Sequence, residues 1–435
     1  MDFITYLQQQ LTACLSEAIA TYDGDLRATS LSEMEVAVKQ MTHEVGNAVL
    51  REWIENQDEK YPAEARPCRC GGQAAYVRRR TGTVISLQGR VHYRRAYYLC
   101  GRCGQGHYPL DNRLGIEPGQ MSQEVIKVAA LCGVQDAFEA SRDVLAQTTL
   151  LELSPNSIRK ACQQVGERVM QDERQAHTRS QDLDAQLEQR RVVSKPRRLY
   201  GSMDGFYVLL EDGYHEMKAG VWWTTRSRRD GTLQADQLQY YVDVLPAEDF
   251  ADLVWATGFA RRADQALELV FIADGAEWIW RIVARLYPQA IQIVDWYHAC
   301  TYLTAVAAEA FSDQTQVQVW LADQQTALWE GHLYTVFHAC RALTPQAPQA
   351  VTAALSYFAH NRPRLRYAKF RAMGLQIGSG SMESGCKQIG LERLKIAGAR
   401  WSEDGARKVA KARAAFLSGR WDEVTAAMRT LPKVA

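Results

Sequence analysis

The stretch from residue 198 to residue 311 constrains the fold most strongly, because its secondary-structure pattern changes along the way. Three segments rich in apolar, β-branched and aromatic residues follow one another as RLYGSMDGFYVLL, HEMKAGVWWTT and LQYYVDVLP. A helical segment comes next, and then two strand–helix units begin with the strands ELVFIADG and AIQIVD. Consecutive strands followed by alternating strands and helices predict an α/β fold, with a mixed sheet flanked by helices.

Shifts in composition divide the whole chain into six segments. The chain has 435 residues, 47% of them hydrophobic, which is enough for two or three domains. Apolar residues at helical spacing near the N-terminus, such as Phe3, Leu7 and Leu11, predict a packing or dimerisation helix. We predict an N-terminal helical region at 1–60, a small β unit at 61–115, a helical region at 116–190, the first part of the α/β domain at 191–311, a helical insertion at 312–364 and the second part of that domain at 365–425.

Charge and cysteine content limit the class of protein. The net charge is only +1, yet the segment from Arg66 to Leu110 has nine arginines and no Asp, Glu or Lys. A segment so one-sided predicts a surface that faces phosphates. The N-terminus does not have the pattern of a signal peptide, and no apolar run is long enough for a membrane span. We therefore expect a soluble intracellular protein whose ten cysteines are thiols or metal ligands.

Two close cysteine pairs, CRC and CGRC, are separated by a segment the size of a β-hairpin. Two thiolates from each of two turns complete a tetrahedral Zn²⁺ site, so we predict Cys68, Cys70, Cys100 and Cys103 as ligands. His107 is an alternative ligand, and unliganded cysteines in a small β unit are the alternative interpretation. A zinc site beside so many arginines predicts nucleic-acid binding. The expected phosphate contacts are Arg78, Arg79, Arg80, Arg94 and Arg95.

Two helices in the region 121–170 have the spacing of a helix-turn-helix. Ser154 is suited to the N-cap of the second helix and Pro155 to its first position. A DNA-binding helix of this kind would present Arg159 and Lys160 near its start. An ordinary αα-hairpin is the alternative for the same pattern.

Acidic residues stand where strands end. Asp204 lies in the first strand of the predicted sheet, Asp274 ends a later strand beside a glycine, and Asp295 ends the next strand. Such positions present polar groups to ligands in α/β sheets, although a single aspartate there often caps the following helix. With Glu383 on a later helix, these carboxylates predict binding of two Mg²⁺ ions for phosphodiester chemistry.

Several neighbours of these acids have alternative interpretations. Glu277 follows Asp274 closely and is a rival for the same site. Asp212 and Asp243 are predicted to be solvated, and Trp222 and Trp223 to pack within the sheet. In GSGSMES the glycines and serines favour a tight helix entry, for which Ser381 is a candidate N-cap.

The order of these motifs is similar to that in a known group of enzymes. The cysteine pairs, the two helices, SMDG, IADGAEW, VDWYHA, GSGSMES and RLKIAGARWSEDGARKVAKARA together resemble bacterial insertion-sequence transposases, in particular the Kra-type group related to Mutator-like elements. The resemblance covers roughly residues 66–425, and its most specific part is the stretch from GSGSMES through GARWSEDGA.

This resemblance implies a fold and a catalytic set. The fold would be an RNase H-like domain with a helical insertion, preceded by a zinc ribbon and a helix-turn-helix. A DDE triad of Asp204, Asp274 and Glu383 would bind Mg²⁺ or Mn²⁺. Asp295 and His298 match an Asp-x-x-His motif of related transposases and would support the site.

The resemblance also implies partners. Double-stranded DNA, as element ends and as target, would be held by a homodimer or larger assembly in the bacterial cytoplasm, at the nucleoid. Lys387, Arg393 and Lys395 are expected among the residues that contact this DNA. Two alternatives remain: a RuvC-like structure-specific nuclease, and a domesticated DNA-binding protein without catalysis.

Overall fold

The computed structural model describes residues 3–21, 30–58, 62–117, 119–191 and 195–429. Residues 1–2, 22–29, 59–61 and 192–194, which fall in predicted helical or linker segments, lie outside the described residues. The chain divides into two compact units: Met1–Cys162 with Thr425–Ala435, and Gln163–Val424. Among the described residues, no helix is both long and apolar enough to cross a membrane.

The first unit combines helices with a small antiparallel sheet in the order β1-β2-β3-β4. Most of it is a long hairpin of β2 and β3, in agreement with the predicted β unit. Its elements are α1 Phe3–Thr21, α2 Leu31–Asn56, β1 Ala65–Pro67, β2 Gln73–Ser86, β3 Gly89–Cys100, β4 Gly106–His107, α3 Pro109–Leu114, α4 Gln123–Gly133 and α5 Phe138–Thr149, and the helix α6 Pro155–Gln181 begins within it.

Side chains at the end of α2 cover the outer edge of β3, where β4 pairs with only a short part of the strand. The carboxylate of Glu55 accepts the backbone N–H of Arg94 at 2.8 Å, and that of Asp58 accepts the N–H of Ala96 at 3.0 Å. An open strand edge would otherwise offer these groups to another strand. The contacts therefore protect the hairpin from further strand pairing.

The second unit contains the larger sheet and most of the helices. Its elements after α6 are α7 Leu183–Arg191, β5 Arg198–Leu210, β6 Gly213–Ser227, β7 Leu233–Asp243, α8 Ala247–Ala260, β8 Glu268–Ala273, α9 Glu277–Leu286, β9 Ile291–Val294, α10 Trp296–Ala310, α11 Gln314–Trp329, α12 Leu333–Ala342, α13 Pro348–His360, α14 Tyr367–Ala372, α15 Gly380–Cys386, a π-helical segment Lys387–Leu394, α16 Glu403–Leu417 and the start of α17 Trp421–Arg429.

The larger sheet has the order β7-β6-β5-β8-β9. Strands β5, β6 and β7 are antiparallel neighbours, whereas β8 and β9 run parallel to β5. The predicted mixed α/β sheet is thus confirmed. Trp222 and Trp223 are fully buried within it, as expected. The indole N–H of Trp222 donates to Thr257 on α8 at 3.0 Å, and that of Trp223 donates to Gln376 at 2.9 Å.

A buried charge network joins α6, β7 and α16. The Lys411 ammonium lies 2.6 Å from Glu173 and 2.9 Å from Asp243, and the Arg407 guanidinium lies 2.5 Å from the other oxygen of Asp243. Burial alone would raise the pKa of Asp243, but the two cations outweigh burial and lower it. The prediction that Asp243 is solvated was wrong, because the sequence did not reveal which cations pack against it. Asp212 is exposed, as predicted.

Candidate functional site

The four predicted zinc ligands lie together at one end of the smaller sheet. Their sulfur atoms are all within 4.8 Å of one another, and two of the separations are 3.7 Å for Cys68–Cys103 and 3.6 Å for Cys70–Cys100. Tetrahedral coordination with Zn–S bonds near 2.3 Å requires sulfur separations of about 3.8 Å. The four cysteines can therefore bind a metal ion such as zinc.

The surroundings of Cys100 favour its thiolate form. Backbone N–H groups of Cys103 and then Arg102 lower the pKa of Cys100 to about 6. The ligand form of cysteine is the thiolate, so these amides prepare it for a cation. At Cys70 the Gly72 N–H lowers the pKa, but the neighbouring thiols and burial outweigh it and raise the pKa to about 12.

His107, the predicted alternative ligand, places its Nε2 3.2 Å from the sulfur of Cys68. It contacts the cluster without being needed to complete four ligands.

Arg95, one of the predicted phosphate contacts, is part of the interior of the hairpin. Its side chain is buried, and its Nε lies 2.6 Å from the carboxylate of Asp111. Tyr93 donates to the same carboxylate at 2.7 Å. A guanidinium held in this way is not accessible to DNA, so the expectation for Arg95 is not supported.

The remaining arginines of the hairpin differ in how they are held. Arg79 forms an ion pair with Asp58 at 2.5 Å, and the Arg80 guanidinium stacks 3.8 Å from the ring centre of Tyr97. Both are partly buried by these contacts. The exposed predicted contacts are Arg78 and Arg94.

The helices α5 and α6 are joined by a short turn. Leu150, just after α5, adopts a left-handed backbone conformation with φ of 59°. The Ser154 hydroxyl accepts the N–H of Ser157 at 3.1 Å, and α6 begins at Pro155, as predicted. Near the start of α6, the Arg159 guanidinium donates to Asn156 at 2.6 Å, and Lys160 is exposed.

Three aspartates stand in line across the parallel strands of the larger sheet. The last paired residues of β5 and β8 are Gly201 and Phe271, and counting three residues onward reaches Asp204 within β5 and Asp274 just after the end of β8. The last pair of β8 and β9 is Ala273 with Val294, so the next positions are Asp274 and Asp295. Strand register thus brings these predicted site residues to neighbouring positions at one edge of the sheet.

Asp204 occupies an electrostatically crowded position. Burial raises the pKa of its carboxyl group and the negative charge of Asp274 raises it further, while the Gly205 N–H, the Cys386 thiol and His298 act in the opposite direction. The Gly205 N–H donates to Oδ1 of Asp204 at 2.7 Å. Two carboxylates near each other in a partly dehydrated position repel, and a bound cation would offset that repulsion.

Aromatic residues surround Asp274. Its Oδ1 accepts the N–H of Ala276 at 2.9 Å, and its backbone oxygen accepts the Tyr357 hydroxyl at 2.6 Å. Tyr302 stacks on Tyr357 with ring centres 3.9 Å apart. The imidazole of His298 lies 5.8 and 5.9 Å from these two rings. Tyr302 of α10 and Tyr357 of α13 therefore form a wall beside Asp204 and Asp274.

Asp295 uses both carboxylate oxygens for local contacts. Its Oδ1 caps α10 by accepting the N–H of His298 at 2.7 Å. Its Oδ2 accepts the N–H of Ser379 at 2.5 Å and the hydroxyl of Ser379 at 2.9 Å. The side chain is buried. Asp295 thus anchors Ser379, the residue just before the helix of Glu383.

Glu383 lies on α15 and is exposed. The helix is capped at Ser379, so the expectation of Ser381 as N-cap was wrong. Cys386 follows Glu383 by three residues, which places both on neighbouring positions of the helix surface. Burial and then the negative charge of nearby Asp204 raise the pKa of the Cys386 thiol. Within the described part of the chain, only the four cysteines form a group of three or more ligands within 4.8 Å. Asp204, Asp274 and Glu383 do not meet at that distance.

Basic residues after α15 have contrasting positions. Lys387 and Lys395 are exposed, and the charge of Lys395 acts on the nearby Cys386 thiol. Arg393 is buried, with its guanidinium 5.3 Å from the ring centre of Trp401. The expectation that Arg393 contacts DNA is therefore not supported.

Cys386, Tyr302 and Tyr357 were not identified from the sequence. Their positions beside the aspartates depend on how α10, α13 and α15 pack against the sheet. The spacing from Glu383 to Cys386 is the one sequence signal that could have indicated a shared helix face.

The fold and these groups define a mixed α/β protein with two sheets and a four-cysteine cluster that can bind a metal such as zinc. The model of the uncharacterised protein family UPF0236 matches residues 27–429, and the chain belongs to this family. None of the curated proteins compared with the chain matches it.

Proposed function

We propose that the protein is a DNA transposase of an insertion sequence, with an RNase H-like catalytic domain formed around the larger sheet. The observation that carries the proposal is the alignment of Asp204 on β5 with Asp274 at the end of the adjacent parallel strand β8, with Cys386 of α15 near Asp204. The antiparallel strands followed by two parallel crossovers support the proposed domain. The alignment brings two acids and the Glu383 helix into one region of the sheet.

The residues of this region suit a hard divalent cation. Carboxylate oxygens are the protein ligands that Mg²⁺ favours. In Asp204 and in Asp274, Oδ1 accepts a backbone N–H, which fixes the orientation of each carboxylate. When bound, Mg²⁺ or Mn²⁺ supplies activation of the attacking oxygen and stabilisation of the leaving oxygen.

The side chains have separate roles in the proposed reaction. Asp204 and Asp274 would each provide a carboxylate ligand to the metal, and Glu383 would provide the third carboxylate. His298 offsets negative charge at Asp204. Water first hydrolyses a phosphodiester at the element end, which leaves a 5′-phosphate on one side and a free 3′-OH on the other. This 3′-OH then attacks a phosphorus of the target DNA, where the new P–O bond replaces the old one and the target strand's 3′-OH leaves. No covalent protein–DNA intermediate is formed.

Other parts of the chain would bind DNA. The exposed Arg78 and Arg94 of the hairpin, with Arg159 and Lys160 at the start of α6, would contact phosphates of the element ends. Lys387 and Lys395 would contact DNA near the cleavage point. Because both element ends must be held together, we expect a homodimer or a larger assembly.

A strand-transfer assay with 3′-OH donor DNA and Mg²⁺ tests the proposal. Joined products are expected from the wild type. Nicking without joining would instead identify a RuvC-like nuclease, and DNA binding without either reaction would identify a domesticated binding protein.

The third carboxylate is tested by Glu383→Gln, with Glu277→Gln as its matched control. Both glutamates are exposed, and Glu277 begins α9 just after Asp274. We expect the change at Glu383 to abolish joining and the change at Glu277 to leave it unchanged. The reverse result would assign the third position to Glu277.

A further inference from the structure

Tyr240, near the end of β7, contacts α15 at two points, and none of the roles proposed above uses it. Its hydroxyl donates to the backbone oxygen of Ser381 at 3.0 Å. Its ring lies directly against Gly385, where an added Cβ atom would overlap with Cε1 of the ring. Both Tyr240 and Gly385 are buried. Tyr240 therefore holds α15 close to each end of this helix.

The strand register directs Tyr240 to the face of the sheet from which Asp204 extends. Ser202 of β5 pairs with Val221 of β6, and Val221 pairs with Tyr240. Residues paired across neighbouring strands point to the same face, and so do residues two apart within one strand. Ser202 and Asp204 are two residues apart, so Tyr240 and Asp204 share a face. The same helix α15 covers both, since its Cys386 lies near Asp204.

The start of α15 is held by a different strand. Ser379, just before the helix, donates through its N–H and its hydroxyl to Asp295, which directly follows β9. Strands β7 and β9 are the two outer strands of the larger sheet, and β5 with Asp204 is the central one. The helix is thus fixed from both sides of the strand that carries Asp204. A contact at its start alone would leave α15 able to turn about its axis, and the contacts of Tyr240 prevent that turn.

We propose that Tyr240 is a positioning residue for Glu383, because it sets the rotation of α15. Glu383 lies between the two contact points, two residues after Ser381 and two before Gly385. A turn of the helix would therefore move the Glu383 carboxylate relative to Asp204. Mg²⁺ demands nearly ideal octahedral geometry, so a displaced carboxylate ligand should weaken metal binding. Only the assignment of Glu383 as a metal ligand rests on the proposed function.

Two measurements on the full-length, zinc-loaded protein test the proposal: hydrogen exchange of the α15 amides, and Mn²⁺ affinity from the electron paramagnetic resonance signal of free Mn²⁺. Tyr240→Phe removes the hydroxyl and keeps the ring. We expect about fivefold faster exchange within α15 and about fivefold weaker Mn²⁺ binding, because one hydrogen bond that fixes the helix is lost. Tyr207→Phe, at an exposed tyrosine of β5, is the matched control and should change neither quantity.

The glycines of α15 provide a second matched pair. An added Cβ atom at Gly385 would overlap with the Tyr240 ring, whereas at Gly380 it would meet nothing within 4 Å. Gly385→Ala should therefore displace the helix and weaken Mn²⁺ binding by roughly tenfold or more. Gly380→Ala should leave Mn²⁺ binding unchanged, because alanine favours the helical backbone and has open space there.

The two measurements separate this proposal from the proposed function. Equal exchange of the α15 amides in Tyr240→Phe and the wild type would overturn the role of Tyr240. Faster exchange throughout the second unit, or faster exchange in α15 with unchanged Mn²⁺ affinity, would make Tyr240 a structural residue and would also overturn the proposal. Wild-type protein that binds no Mn²⁺, or Glu383→Gln that binds it equally well, would instead refute the metal site of the proposed function. The exchange comparison alone would then decide whether Tyr240 fixes α15.

Discussion

The four-cysteine cluster and the acidic edge of the larger sheet are assembled in different ways. The cysteine sulfurs all lie within 4.8 Å of one another, whereas the three proposed catalytic carboxylates do not form such a group. The cysteines belong to two turns linked by the β2–β3 hairpin. The acids come from two strands and from a helix that follows the helical insertion α11–α13.

This difference concerns how each site depends on the rest of its unit. A hairpin fixes its turns through a few local pairs, such as Ala74 with Cys100, and the entropy cost of closing so short a loop is small. The position of Glu383 depends instead on distant packing, through Cys386 against Asp204 and Ser379 against Asp295. We therefore expect the cysteine cluster to act on stability and the acidic edge to act on catalysis.

The largest effect should follow loss of a cysteine ligand. Cys100→Ser should abolish stoichiometric zinc binding and unfold the hairpin, because a structural zinc ion contributes about 10 kcal/mol or more to folding. Zinc content and circular dichroism measure this result. Cys132→Ser, at a cysteine of α4 outside the cluster, is the control. If Cys100→Ser had the same thermal midpoint as the wild type, the cysteine cluster would not stabilise the fold.

Asp204→Asn should separate activity from stability. We expect Mg²⁺-dependent DNA cleavage to fall about 1,000-fold, which corresponds to about 4 kcal/mol of transition-state stabilisation. The thermal midpoint should stay equal or rise. Burial and then Asp274 raise the pKa of Asp204, so the folded state disfavours its charge and loses stability as pH rises above the ordinary value of 3.8. A neutral side chain avoids that loss. If Asp204→Asn cleaved DNA at the wild-type rate but had a lower thermal midpoint, Asp204 would have a structural role and not a catalytic one.

Asp243→Asn should give the opposite result within the same unit. Removing one member of the buried network with Lys411 and Arg407 should lower the free energy of unfolding by about 3 kcal/mol. Urea unfolding measures the loss, and Mg²⁺-dependent cleavage should be unchanged.

The pH dependence of stability gives an independent check on Asp243. Because its pKa is lowered in the folded protein, its contribution is complete above the ordinary value of 3.8 and is lost as pH falls below that value. The wild type should therefore lose this stabilisation in acid, whereas Asp243→Asn should lose less. Equal acid sensitivity of the two proteins would contradict the network's role.

The smallest effect is expected at the start of α15. Ser379→Ala removes a hydroxyl that donates to Asp295 at 2.9 Å. Its loss should lower the free energy of unfolding by about 1 kcal/mol and increase hydrogen exchange of the α15 amides. Ser384→Ala, at an exposed serine of the same helix, is the control. Equal exchange rates in the two variants would show that Asp295 does not anchor the helix of Glu383.

The sequence predicted the mixed sheet well, because alternation of apolar residues and the strand-to-helix transitions are local signals. The same holds for the four clustered cysteines, whose spacing within each pair is short. The sequence did not reveal that Arg95 and Arg393, which were expected to contact DNA, are buried. A basic side chain gives no local indication of whether an acid or an aromatic ring will cover it after folding. Ser379 rather than Ser381 became the N-cap because Asp295, far away in sequence, fixes Ser379 in place.

The sequence by itself determined which segments form strands and helices, where the four thiols stand and which acids end the parallel strands. These properties follow from residue type and short spacing. Only the tertiary structure decided which charges are buried, that Cys386 lies near Asp204, and that Tyr302 and Tyr357 line the acidic edge. Those relations join residues distant in sequence, and the packing of whole elements fixes them.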